Sequence, residues 1–204
     1  MTERAIDTVV FDIGNVLLVW DPRFVYRSVF ADDADMEAFL AEVCTMAWHT
    51  EHDRGVSFED NAAALKALHP DHGPAIDLWQ ARFHDMIPGP VPGAAELMAR
   101  LKDKGVAMHG LTNMPHGVLP VLRERFAFLN GLDTVIVSAE EKMVKPEPGI
   151  YQVALERAGA VAEKTLFVDD NFANVAGAQA CGLHGHHFQD AGRLAAALQD
   201  FGLL

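Results

Sequence analysis

Apolar positions along the chain fall into two patterns. The first is the short continuous run, rich in β-branched residues: "DTVVF" at 7–11, "VAMHGLT" at 106–112, "DTVIVS" at 133–138 and "TLFVDD" at 165–170, with a weaker fifth, "LHGHHF", at 183–188. Runs of this kind predict strands buried on both faces of a parallel sheet. The second pattern has helical period. Pro92 stands at a favoured first-turn position, Ala94, Leu97, Met98 and Leu101 recur at i, i+3, i+4, i+7, and Gly105 follows as a stop signal. Asp190 is placed to cap a last helix that carries Leu194, Ala197, Leu198 and Phe201 on one face. Strands alternating with helices of this length predict βαβ units, and so a doubly wound, Rossmann-like α/β core with a parallel sheet between two helical layers.

Between the first strand and Pro88 the pattern changes. Met36, Phe39, Leu40 and Val43 recur with helical period, Ser57 and Asp60 are spaced as a capping box, and no strand run of comparable strength occurs. Residues 18–88 are therefore predicted as an inserted helical cap, and residues 1–17 with 89–204 as the core. The segment "PGPVPG" at 88–93 is the stiff return into the sheet. Internal repeats and low-complexity tracts are absent.

Composition narrows the class. The chain has 204 residues, half of them apolar, enough for a substantial core. Acidic residues outnumber basic ones 29 to 16, and the net charge of −13 without a Lys/Arg cluster argues against nucleic acid and anionic membrane as partners. Only Cys44 and Cys181 occur, far apart and in no metal-binding spacing, which suits a reducing compartment. Glu3 and Asp7 interrupt the start of the chain where a signal peptide needs apolar residues, and no run is long enough to span a bilayer. The expectation is a cytoplasmic protein.

In an open parallel sheet, ligands sit beyond the carboxyl ends of the strands, and those ends are polar here. Asp12 follows the first run, Thr112 and Asn113 end the second, Lys145 lies in "EEKMVKPEP" after the third, and Asp169 and Asp170 end the fourth. Each has an ordinary alternative. Asp12 and Asp170 could cap turns or helices, and Lys145 could be a solvated loop residue. Their convergence is what points to chemistry, because gathered carboxylates repel unless a cation joins them. Magnesium fits, since it favours a few carboxylates together with water and substrate phosphate.

The ordered set "FDIGNVL", "LTN", "KPEPGIY" and "VDDNFANVAGA" resembles the haloacid dehalogenase superfamily, mostly phosphatases, in the branch with a helical cap inserted after the first strand. The resemblance spans residues 7–182. It implies that Asp12 is the nucleophile and forms an aspartyl-phosphate, that Thr112 with Asn113 holds the phosphoryl oxygens, that Lys145 neutralises charge, and that Asp170 binds magnesium with Asp169 beside it. The substrate it implies is a small phosphorylated metabolite. A carboxylate is a competent nucleophile for phosphoryl transfer, and the transferred group needs positioning and charge neutralisation above all.

Gly14 departs from the commonest pattern of that superfamily, in which a second aspartate stands there as general acid and base. Its backbone carbonyl remains available to magnesium alongside Asp12, and glycine permits close approach to a ligand. The "DxGN" form also resembles a subgroup acting on sugar phosphates, including hexose 1-phosphates, whose leaving group needs less help from an acid. Asp21 or a cap residue is left as a substitute, although Asp21 also reads as an N-cap ahead of Pro22. Two alternatives stay open: a 2-haloacid dehalogenase, which also lacks the second aspartate but loses the metal-binding acid of the fourth motif, and a non-catalytic phosphate-binding module. His184, His186 and His187 read as strand histidines rather than a zinc site, His116 as a phosphate contact or a helix-start residue, and Arg54 as a substrate contact or a solvated helix end.

Overall fold

The computed structural model describes residues 6–204. Five parallel strands, β1 (Thr8–Phe11), β2 (Ala107–Thr112), β3 (Thr134–Val137), β4 (Thr165–Asp169) and β5 (His184–His187), form one sheet in the order β3-β2-β1-β4-β5. Beside them, among the described residues, run eleven α-helices: α1 (Arg23–Tyr26), α2 (Asp33–Glu42), α3 (Met46–Asp53), α4 (Phe58–Leu68), α5 (Gly73–Ala81), α6 (Ala94–Asp103), α7 (Val118–Arg125), α8 (Ser138–Glu141), α9 (Pro148–Ala158), α10 (Phe172–Ala180) and α11 (Ala191–Asp200).

Successive residues of the central strand serve opposite layers, as the two-residue period of a strand requires. Val9 and Phe11 belong to a cluster with Leu97, Met98 and Leu101 of α6, Leu122 of α7 and Leu194 and Leu198 of α11. Val10 packs on the other side with Ile150, Tyr151 and Ala154 of α9 and Ala178 of α10. The sheet is therefore wound on both faces. Because β1 lies between β2 and β4, with Phe11 opposite Gly110 on one side and Val168 on the other, Asp12 emerges between the ends of both neighbours.

The helical cap contains α1 to α5. The chain leaves and re-enters the core through two adjacent segments: Val19 N donates to Gly89 O, Val91 N donates to Leu17 O, and Leu18 faces Pro90. Inside the cap, Tyr26, Phe39, Trp48 and Trp79 form a ring-on-ring core, with centroids 5.1 Å apart for Tyr26 and Phe39 and 5.2 Å for the two tryptophans. Such contacts add to area burial.

Local signals behave unevenly. Asp190 accepts from Arg193 N, and Ser57 accepts from Asp60 N while donating its hydroxyl to Asp60 Oδ2. Pro92, by contrast, lies outside α6. Gly93 is the N-cap there, at φ 84°, and a Cβ on it would stand 2.8 Å from Ala191 Cβ, so only glycine lets the chain turn into the helix beneath α11. Asp170 is not a cap either, since Asn171 accepts from Ala173 N at the start of α10.

His52 is buried in the cap between Trp48 and Phe58 and receives a hydrogen bond from Asn61 Nδ2 at 3.2 Å on Nε2. Burial lowers its pKa to about 4. An unfolded histidine takes its proton near 6.5, so the stability this ring contributes is complete above that pH and is lost as the pH falls toward 4. At pH 5 the loss is about 2 kcal/mol. Comparing His52→Gln with the parent isolates this residue from buried carboxyls, which act in the opposite sense. Urea unfolding at pH 7 and pH 5 should show the variant's pH-dependent loss smaller than the parent's by about that 2 kcal/mol.

Candidate active site

The end of β1 turns sharply. Ile13 N donates to Asp12 Oδ1 at 2.7 Å, Leu17 and Leu18 N both donate to Ile13 O, and Asn15 adopts φ 54°, a left-handed conformation that its short amide tolerates. Asn15 Oδ1 then accepts from Trp20 N. The turn holds Asp12 at the sheet's carboxyl end, 8% exposed.

Lys145 is the centre of the site. It is buried, its Nζ lies 2.9 Å from Asp12 Oδ1, and it donates to Asp169 Oδ2 at 2.7 Å. Asn113 fixes the lysine's backbone from both directions: Lys145 N donates to Asn113 Oδ1 at 2.8 Å, and Asn113 Nδ2 donates to Lys145 O at 3.2 Å. The side chain expected on the phosphoryl group thus spans to another loop and positions the lysine. Thr112 is buried at the end of β2 and lines the cavity with its hydroxyl free of any short hydrogen bond, the contact to Asn113 O being 3.5 Å.

The two aspartates after β4 differ. Asp169 is fully buried and already accepts from Lys145 Nζ, from Asn171 N at 2.8 Å and from Asn174 Nδ2 at 3.1 Å on each oxygen. It is an anchor for the ammonium, held by three donors. Asp170 is partly exposed and faces the cavity. Carboxylate oxygens of Asp12, Asp169 and Asp170 lie within 4.8 Å of one another, and this is the only such group of three among the described residues.

Electrostatics show which ion the site suits. Burial pushes the Asp12 carboxyl up to about 7, with Asp169 and Asp170 adding repulsion and Lys145 opposing them. Asp170 is raised by burial and then by Asp169. Lys145 is raised in spite of its burial, because Asp12 and Asp169 outweigh the loss of solvent. Three carboxylates against one ammonium leave an excess of negative charge that a divalent cation would relieve, and the donor set is oxygen throughout, as magnesium requires.

Above the carboxylates opens a cavity of about 470 Å³. Its core wall carries Asp12, Gly14, Thr112, Lys145 and Asp170, and its other walls include Trp20, Met46, Phe83, Ile87 and Leu122. Asp53 and His49 of α3 face it too. Other candidates lie elsewhere. Asp21 accepts from Arg23 N at 2.9 Å in a neighbouring groove, Arg54 pairs with Glu147 at 2.6 Å, and His116 is exposed beside Gly55. His184 and His187 turn their Nε2 atoms to the carbonyls of Glu163 and Asp170 on the sheet's edge. Asn174 and Asp53 were not identifiable as site residues from sequence; the only signal for Asn174 was its place in the first turn after "VDD".

The family described as haloacid dehalogenase-like hydrolase matches residues 6–182. A sesquiterpene phosphatase, astK, of Aspergillus oryzae is 30% identical over 184 residues, 89% of each chain. A phosphorylated carbohydrates phosphatase of Thermotoga maritima is 27% identical over 179 residues, 87% of this chain and 82% of that one. In fold, the chain resembles the enzyme bt-2542 of Bacteroides thetaiotaomicron, solved with magnesium and inorganic phosphate, at a TM-score of 0.67 and 20% identity, covering 93% of this chain and 98% of the other.

The difference between the paired aspartates is testable by stability alone. Asp169→Ala strips Lys145 of its better-held partner and should cost about 3–5 kcal/mol in urea unfolding. Asp170→Ala, which breaks no protein hydrogen bond of that kind, should cost less than about 1 kcal/mol.

Proposed function

The chain belongs to the haloacid dehalogenase-like hydrolases, and from that membership we propose that it is a magnesium-dependent phosphomonoester hydrolase working through an aspartyl-phosphate. The observation that carries the reading is Lys145, buried between Asp12 and Asp169 with Asp170 open to the same cavity. In this reading Asp12 attacks phosphorus with the oxygen that neither Ile13 N nor Lys145 engages. Lys145 balances charge as the phosphoryl group transfers, and Thr112 offers its hydroxyl to a phosphoryl oxygen. Asp12, Asp170 and the Gly14 carbonyl would hold the metal, with Asp169 beside them. When bound, magnesium draws charge from the carboxylates and the phosphoryl oxygens.

Asp170 counts against the dehalogenase alternative, since a metal-free displacement of halide has no use for a third carboxylate. The pure binding module is disfavoured by Asp12, whose charge repels a bound anion unless the two react. The cap, taken over residues 18–88, closes the cavity against bulk water and shapes it for the leaving group. The two free cysteines support a reducing, cytoplasmic setting.

For the leaving group we take a small sugar, on the "DxGN" form of the first motif and the Thermotoga relative. A second reading is favoured by the cavity itself. Trp20, Met46, Phe83, Ile87 and Leu122 offer a hydrocarbon more contact than they offer hydroxyls, and the Aspergillus relative is named for a terpenoid phosphate.

Release of inorganic phosphate should require magnesium and fall below detection in Asp12→Asn while the melting curve is retained. Turnover by that variant would refute nucleophilic attack. Asp170→Ala should raise the magnesium needed for half-maximal rate by about tenfold or more, equivalent to about 1.4 kcal/mol. In a substrate panel, a hexose 1-phosphate should exceed a prenyl monophosphate in kcat/KM; the reverse order would assign the cavity to a hydrocarbon.

A further inference from the structure

Asp53 is a buried carboxyl with an oxygen that no hydrogen bond reaches. It ends α3, is 5% exposed, and its Oδ1 accepts no hydrogen bond. A polar atom left so is costly to bury. His49 Nε2 stands 3.7 Å from that oxygen, beyond hydrogen-bond reach. His49 Nδ1 accepts from Trp79 Nε1, so the ring's proton sits on Nε2, on the side of Asp53. Cap packing thus approaches the carboxyl and stops short of satisfying it.

Its surroundings point it at the reaction. Asp53 opens into the cavity that holds Asp12, Lys145 and Thr112, and the charges of Lys145 and Asp12 both act on it. The two residues that follow fix where it stands. Arg54 pairs with Glu147, two residues past Lys145, and Gly55, at φ 95°, runs so close to α8 that a Cβ would lie 2.8 Å from Ala139 O. The end of α3 is pressed onto the core. At Gly14, meanwhile, a Cβ would meet nothing within 4 Å, so the place from which a second aspartate could act is empty of protein atoms.

We propose that Asp53, reaching across from the cap, is the catalytic proton donor and acceptor of the hydrolysis, the role that Gly14 leaves unfilled; this rests on the phosphatase reading above. As an Asp12 oxygen bonds to phosphorus and the bond from phosphorus to the leaving oxygen breaks, the Asp53 proton passes to that oxygen and the alcohol departs. The Asp53 carboxylate then takes a proton from the water that attacks the aspartyl-phosphate. The phosphorus bond to Asp12 breaks, inorganic phosphate leaves, and both carboxyl groups return to their starting states. A carboxyl group out of water and without a donor keeps its proton until a base forms beside it, which the departing oxygen is.

The experiment is a single turnover of the magnesium-loaded enzyme on phenyl phosphate and on p-nitrophenyl phosphate, nearly alike in shape. Phenolate, whose acid has a pKa of about 10, needs a proton to leave, and p-nitrophenolate scarcely does. In Asp53→Asn the ratio of the phenyl to the p-nitrophenyl rate should fall by about 10²-fold or more. A ratio is unaffected by loss of part of the folded enzyme, and Asp53→Ser is measured beside the first variant. Adding Gly14→Asp to Asp53→Asn should recover at least about tenfold of the ratio, because an acid is restored from the core side. A ratio unchanged within about threefold in both single variants would overturn the assignment and make Asp53 a structural or binding residue. A parent enzyme that releases neither product would instead remove the phosphatase reading.

Discussion

The ammonium of Lys145 sits between Asp12 and Asp169 with almost no access to water, and the rest of the site is arranged around keeping it there. Burying an ion is expensive, and a partner charge offsets that cost only when geometry is good and the remaining donors and acceptors are met. The protein meets them asymmetrically. Asp169 is held by Lys145, Asn171 N and Asn174 Nδ2, which use both of its oxygens. Asp12 has Ile13 N and Lys145 on one oxygen only. One carboxylate is therefore consumed as an anchor while the other keeps an oxygen for chemistry. This asymmetry is the structural reason for reading Asp12 as the reactive group.

The sheet supplies the precision. Parallel strands in register bring Phe11, Gly110 and Val168 level, so Asp12, Thr112 and Asp169 emerge at the same end without loop geometry having to create the alignment. Lys145 arrives from a loop and not from a residue at or next to a strand end. Its position is set by the two hydrogen bonds to the Asn113 amide, which tie the loop before α9 to the end of β2. A catalytic group on a loop needs such support, because a displacement of about 1 Å is enough to lose most of its effect.

How far the sequence could be read follows from how local each signal is. Strands β1, β2, β3 and β4 were legible as continuous apolar runs, whereas β5 was weak because its four residues are three histidines and a glycine, with His184 and His187 exposed. The convergence of Asp12, Lys145 and Asp169 could be anticipated from strand ends and motif order. The division of labour could not. Asn113 and Asn174 act on partners 32 and 5 residues away through backbone and carboxylate geometry that no spacing reveals. Pro92 misled because the helix start is decided by the close approach of Gly93 to Ala191, a tertiary fact. Asp53 carries no motif at all: in "EHDRG" it is one charge among three, and only the folded cap withdraws it from water.

A proton donor mounted on the cap has a consequence that one mounted beside the nucleophile lacks. With an aspartate at position 14, proton transfer would be available whenever substrate and metal were bound. With Asp53, it exists only while α3 rests against the core. The Arg54–Glu147 pair contributes little to holding that state, since both partners are more than a third exposed and such pairs are worth about 0–1 kcal/mol. The apolar walls carry more: Trp20, Met46 and Phe83 of the cap line the same cavity as Val118 and Leu122 of α7, so an occupant that fills the space contacts both. Leaving-group shape would then be read twice, once in binding and again in bringing the acid to the oxygen it protonates, and discrimination would appear in kcat as well as in KM.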